Sequence, residues 1–113
     1  MPDSCLFCRI ARGELPVPLV AESDACVAFR DINPQAPLHV LVIPRAHVAS
    51  LDEARDAAQL GELLLLAAEV ARREGYAEGG YRTVINTGRD AGQTVFHVHL
   101  HLLAGRALSW PPG

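Results

Sequence analysis

The sequence has 113 residues, enough for one domain (1–113) and too few for a second core. Half of the residues are apolar and a fifth are charged, which excludes a disordered chain. The net charge of −3 offers no basic field for a nucleic-acid backbone, so any nucleotide partner is expected to be small and held by local contacts. The N-terminal run Met1-Pro2-Asp3-Ser4-Cys5 lacks the positive charge and apolar core of a secretory signal. Three cysteines, two of them in Cys5-Leu6-Phe7-Cys8, suit a reducing compartment and a metal or redox role better than a disulfide framework. A cytoplasmic location is therefore expected.

Residues 19–21 and 25–29 are short apolar runs separated by Glu22-Ser23-Asp24, polar residues of the kind that close a hairpin, so two antiparallel strands are expected. Asn33-Pro34-Gln35-Ala36-Pro37 reads as a loop, and residues 38–43 as a third strand that Pro44 ends. Ser50 and Glu53 have capping-box spacing, which predicts a helical turn there. The main helix is expected over about residues 57–74, with Leu60, Leu63, Leu64, Ala67, Ala68 and Ala71 on one face and Gly75 as its stop. Its apolar run at 63–68 falls far short of the roughly 20 residues that cross a bilayer, so no membrane is expected as partner. Residues 81–86 read as a fourth strand, 87–93 as a loop containing Gly88 and Gly92, and 96–103 as a fifth strand. The tail Trp110-Pro111-Pro112-Gly113 continues no regular element. Together these give an α+β domain with a mostly antiparallel five-stranded sheet and one long helix.

The fifth strand carries His97-Val98-His99-Leu100-His101. Alternation along a strand places the three histidines on one face and the aliphatic residues on the other. One chemistry for such a face is a three-histidine metal site. The rise of a strand sets the outer two histidines roughly 13 Å apart at the backbone, at the limit of what a single ion can gather. The other chemistry is nucleophilic: a neutral imidazole keeps a ring lone pair at pH 7, and attack on phosphorus gives a phosphoryl-imidazolium that water readily takes apart. The loop Gly88-Arg89-Asp90-Ala91-Gly92-Gln93-Thr94 would then bring backbone N–H groups, an amide and a hydroxyl near the phosphate.

The segment Gly-Gln-Thr-Val-Phe-His-Val-His-Leu-His-Leu-Leu, residues 92–103, resembles the signature of the histidine-triad (HIT) superfamily. The segment 31–39, Asn86-Thr87-Gly88 and the Trp110-Pro111-Pro112-Gly113 ending resemble its histidine-triad nucleotide-binding branch in particular. The resemblance implies the HIT-like fold, with a short N-terminal helix added to the elements above. It also implies a homodimer with a joined sheet, and hydrolysis of purine nucleoside phosphoramidates such as adenosine 5′-phosphoramidate or nucleotidyl-lysine. The intermediate would be a covalent nucleotidyl-histidine, and AMP or GMP would be bound as substrate moiety or product. By position, His99 would be the nucleophile and His101 would contact the phosphate. Asn86, Gly92, Gln93 and Thr94 would surround the phosphate or leaving group, with Thr94 standing where serine is frequent. Asp31 would hold the ribose hydroxyls, Phe29 and Ile32 would line the base pocket, and Trp110 would approach the partner's site. His39 would orient the other imidazoles, or serve as a strand histidine hydrogen-bonded for structure. Arg30 is given no role.

Cys5, Cys8, His47 and His97 resemble the structural zinc site of many bacterial members, and two thiolates with two imidazoles match tetrahedral zinc. Such an ion would fasten the N-terminal segment to the sheet and stay out of the bond-breaking step. Cys26, among apolar neighbours, reads as a small core residue. Rival readings are a dinucleoside polyphosphate hydrolase of the fragile-histidine-triad type, against which the C-terminal tail speaks, and a nucleotide-binding interaction module with incidental turnover. A redox protein built on the Cys5–Cys8 pair is more distant.

Overall fold

The structure, a computed structural model, describes residues 4–113. Its elements are α1 (Leu6–Ala11), β1 (Leu19–Glu22), β2 (Cys26–Arg30), β3 (Leu38–Pro44), α2 (Ala57–Arg73), β4 (Tyr81–Val84) and β5 (Leu100–Ala104), with a 3-10 turn at Leu51–Glu53. All strand pairs are antiparallel, and the order β1-β2-β3-β5-β4 leaves β1 and β4 as edges. This is the α+β architecture expected from the sequence. No helix among the described residues is long and apolar enough to cross a membrane.

The central strand β3 is buried along its whole length, and its two faces meet two different cores. Leu38, Val40 and Val42 join Cys26, Ala28, Leu100 and Leu102 beneath Leu63, Leu66, Ala67, Val70 and Ala71 of α2. Leu41 and Ile43 on the opposite face pack with Val27 and Phe29 against Phe7 and Ile10 of α1. The period of two along β3 puts His39 on this second face, away from the long helix. Cys26 is fully buried in the first core, where burial pushes its thiol up to about 11 and keeps it a packing residue.

Several sequence expectations shift. The buried stripe of α2 is Leu63, Leu66, Ala67, Val70 and Ala71, whereas Leu64 is 48% exposed; the apolar face is turned toward Leu66 and Val70. Ser50 makes no side-chain cap, because the turn it opens closes after three residues with the Ala54 N–H on the Leu51 carbonyl. Asp56 caps α2 instead, accepting the Gln59 N–H at 3.1 Å, and Gly75 ends the helix at a φ of 87°. The fourth strand stops at Val84, before Asn86.

The fifth strand starts at Leu100, so His97 and His99 precede the paired region. Its ladder with β3 ends at the Val42–Leu100 pair, two residues before Pro44. Pro44 has no N–H to give, and its carbonyl is taken by the ring of His97 at 2.8 Å. The chain there is held by the Val98 N–H on the Val48 carbonyl.

Candidate active site

The three histidines lie side by side. The rings of His99 and His101 have centroids 5.1 Å apart, and Phe7 touches both His97 and His99 edge-on at 6.0 and 5.0 Å. The alternation read from the sequence therefore survives the missing ladder, but each ring meets different partners.

His99 Nδ1 is 2.8 Å from the carbonyl oxygen of His97. A carbonyl only accepts, so the proton sits on Nδ1 and the lone pair on Nε2. Among the described residues Nε2 has no hydrogen-bond partner, and no buried side-chain nitrogen or oxygen lacks one; Nε2 is therefore open to the cleft even though His99 is only 7% exposed. The geometry gives a fixed imidazole whose one available nitrogen faces outward.

A second chain of donors fixes His101. The Gln35 backbone N–H donates to His39 Nδ1 at 3.0 Å, so the proton of His39 is on Nε2. That Nε2–H donates to His101 Nδ1 at 2.9 Å, which leaves the His101 proton on its own Nε2. Asp31 Oδ2 lies 3.4 Å from His39 Nε2, and its Oδ1 accepts the Asn33 N–H at 2.8 Å. Burial, followed by the neighbouring His99 and His39, pushes the His101 pKa down to about 4, and burial also lowers that of His39 against the pull of Asp31. His101 is thus neutral at pH 7 and keeps a donor on Nε2. Asp31, His39 and His101 sit close enough to suggest a metal cage. The Gln35 N–H aimed at Nδ1 commits His39 Nε2 to a proton rather than a metal, so the trio is a hydrogen-bond relay.

His99 and His101 open into a cleft of about 250 Å³ lined also by Phe29, Asp31, Ile32 and Thr94. Phe29 is buried, whereas Ile32 stands at the rim 97% exposed. Leu6, Phe7 and Ile10 of α1 complete one wall. These three were missed from the sequence; their signal was the 7, 10 spacing of apolar residues beside the cysteine pair. A larger hollow of about 610 Å³ lies between residues 16–20, Arg30 and Glu74, but Arg30 is ion-paired to Glu74 and the hollow holds no nucleophile.

The remaining expected residues lie outside this lining. Asn86 is half-buried just beyond β4. Gly92 is exposed at a φ of 87°, in a turn closed by the Gln93 N–H on the Gly88 carbonyl. Gln93 is buried with its amide spent on the loop: Oε1 accepts the Gly88 N–H, and Nε2 donates to the carbonyls of Ala49 and Val95. It shapes the turn that delivers Thr94 to the cleft. Trp110 is 82% exposed, on a tail held beside β4 by Arg82 on the Ser109 carbonyl at 2.9 Å.

On the other side of Phe7, Cys5, Cys8, His47 and His97 bring their ligand atoms within 4.8 Å of one another. His97 donates Nε2–H to Pro44, so its Nδ1 carries a lone pair, 3.4 Å from Cys5 Sγ and 3.5 Å from Cys8 Sγ. His47 Nδ1 is 3.2 Å from Cys8 Sγ. A tetrahedral zinc with these ligands has S···N edges of roughly 3.6 Å, so the donor set fits that ion closely. The Pro44 carbonyl supplies the outer hydrogen bond that orients a ligating imidazole. Zinc here would be held by these four residues and would fasten α1 to the sheet.

The fold is shared with known proteins. The HIT domain family model matches residues 12–108, and the chain belongs to the HIT family. It is 54% identical over its whole length to an uncharacterised HIT-like protein of Synechococcus elongatus, likewise covered completely. It is 44% identical to the purine nucleoside phosphoramidase of Escherichia coli, over 96% of this chain and 92% of that protein. The crystal structure of a HIT family hydrolase from Legionella pneumophila superposes with a TM-score of 0.94 at 48% identity, covering 97% of this chain and all of the other.

Proposed function

We propose that the protein is a hydrolase that cleaves the P–N bond of purine nucleoside phosphoramidates through a nucleotidyl-histidine intermediate. The observation that carries this reading is the setting of His99, a ring with Nδ1 bound to the His97 carbonyl and a free Nε2 at the cleft. The 44% identity to a named purine nucleoside phosphoramidase supports the choice of bond and base.

In this mechanism the His99 Nε2 lone pair attacks phosphorus, the Nε2–P bond forms, and the phosphoramidate P–N bond breaks as its nitrogen takes a proton from solvent and leaves as an amine. The imidazole becomes a cation whose Nδ1–H remains on the His97 carbonyl, a charge-assisted bond that stabilises the step. Neutral His101 donates a hydrogen bond from its Nε2–H to a phosphoryl oxygen, and the hydroxyl of Thr94, which lines the cleft, hydrogen-bonds the leaving nitrogen. Water then attacks phosphorus and gives up a proton to solvent, the His99–phosphorus bond breaks to return the neutral ring, and the nucleoside monophosphate departs. Asp31 binds the ribose hydroxyls, with Phe29 and Ile32 against the base. A structural zinc at the Cys5–Cys8 cluster takes no part in these steps.

The test is the turnover of adenosine and guanosine 5′-phosphoramidates by the native protein and by His99→Ala. The native protein is expected to turn over at about 1 per second or faster. The variant should lose more than about a thousandfold in kcat while still binding AMP. Undiminished turnover in His99→Ala would remove the nucleophile from the account.

A further inference from the structure

We propose that Gly105 and Arg106 are positioning residues for the imidazole relay, acting through the Gln35 backbone to hold His39 and His101 in the pattern that presents a proton to the cleft. The inference rests on the phosphoryl-transfer reading of that cleft.

Gly105 follows β5 directly and adopts a φ of 97°, where a side chain is strained. A Cβ there would stand 2.7 Å from Pro37 Cβ, so only glycine lets the end of β5 lie against the loop before β3. This close approach puts Arg106 over the same loop, where its Nε donates to the Gln35 carbonyl at 3.1 Å and its Nη1 to the Ala107 carbonyl at 3.0 Å. Gln35 is also held from the other side, its Nε2 donating to the Asn33 carbonyl at 3.0 Å while the Asn33 N–H rests on Asp31. The residue so pinned turns its N–H onto His39 Nδ1.

That N–H, with Asp31 Oδ2 at 3.4 Å from His39 Nε2, sets the direction of the relay. While it occupies His39 Nδ1, the protons of His39 and His101 both sit on Nε2, and His101 faces the phosphate as a donor. If Gln35 turns away, His39 can carry its proton on Nδ1 and accept from His101 Nδ1. His101 then presents a bare lone pair to an anionic phosphoryl group, and attraction becomes repulsion. An exposed arginine at the end of β5 thereby sets the hydrogen-bonding sense of a ring that it does not touch.

The experiment records long-range ¹H–¹⁵N spectra of the histidine rings at pH 7, without substrate, for the native protein, Arg106→Ala, Arg106→Lys and Gly105→Ala. In the native protein both His39 and His101 should be protonated on Nε2. Arg106→Ala should show a mixture of tautomers at these two rings, with His97 unchanged, and kcat/KM should fall about five- to tenfold, the worth of one net hydrogen bond. Arg106→Lys keeps a donor for the Gln35 carbonyl and should recover most of both readouts. Gly105→Ala should reproduce the Arg106→Ala spectrum. A native tautomer pattern in Arg106→Ala overturns the proposal, whatever its rate, and this readout remains decisive should Gly105→Ala fail to fold. Because the spectra need no substrate, failure of the native protein to cleave phosphoramidates would count against the proposed function alone.

Discussion

Each imidazole of the 97–101 run has its proton placed by a different partner: His97 by the Pro44 carbonyl, His99 by the His97 carbonyl, and His101 by the relay of donors from Gln35 through His39. Residue spacing made the shared face legible, since period-two alternation is a local property of extended chain. The division of labour was not legible, because Gln35 and Pro44 act through backbone groups that every residue type carries. For the same reason nothing in the sequence marked the Gln93 amide as already spent on its own loop. The His101 shift carries a pH prediction. Its pKa falls from 6.5 to about 4 on folding, so between these values the unfolded chain binds more protons than the folded one. The stabilising contribution is complete above pH 6.5 and is lost as pH falls toward 4. Denaturant unfolding of native protein and His101→Gln at pH 7 and pH 4.5 should show a smaller acid-induced loss in the variant. An equal loss in both would place the acid sensitivity elsewhere.

Among the elements, α1 joins the Cys5, Cys8, His47 and His97 cluster to the cleft, although it has only six residues and no isolated helix of that length is stable. Cys5 and Cys8 face the imidazoles of His47 and His97, while Leu6, Phe7 and Ile10 form the cleft wall. Cys5 also caps the helix, its sulfur accepting the Cys8 N–H at 3.4 Å, as a metal thiolate would. Truncating the buried Phe7 to alanine should destabilise the fold by about 3–5 kcal/mol and weaken AMP binding, with about one zinc per chain retained by metal analysis. Unchanged AMP affinity in a folded Phe7→Ala protein would show that α1 does not build the pocket. The long helix was legible in extent from its apolar spacing and Gly75. Its facing was less so, because Leu63 to Leu66 are four consecutive leucines and only packing under the sheet selects Leu63 and Leu66 over Leu64 and Leu65. The fifth strand was overextended for an equally physical reason: its residues suit a strand, but its partner ends in a proline.

For the whole molecule, the sheet order leaves β4 as an unpaired edge of four residues with Tyr81 and Thr83 exposed. Free edges of this kind seek a partner strand. A homodimer joined at β4 would also give the exposed Trp110, tethered beside that edge by Arg82, a route toward the partner's cleft. Sedimentation velocity should find a dimer at micromolar concentration, and Thr83→Pro, which removes an edge N–H, should shift it toward monomer; a native protein that stays monomeric would contradict the joined sheet. All larger claims about activity return to one atom, His99 Nε2. Its most direct test is mass spectrometry of protein acid-quenched or rapidly denatured during turnover of a slow phosphoramidate, with peptide mapping. The account predicts one nucleotidyl group per chain, bonded to His99 and absent from His99→Ala. Rapid turnover with no adduct at any quench time, or an adduct mapped to another residue, would contradict it.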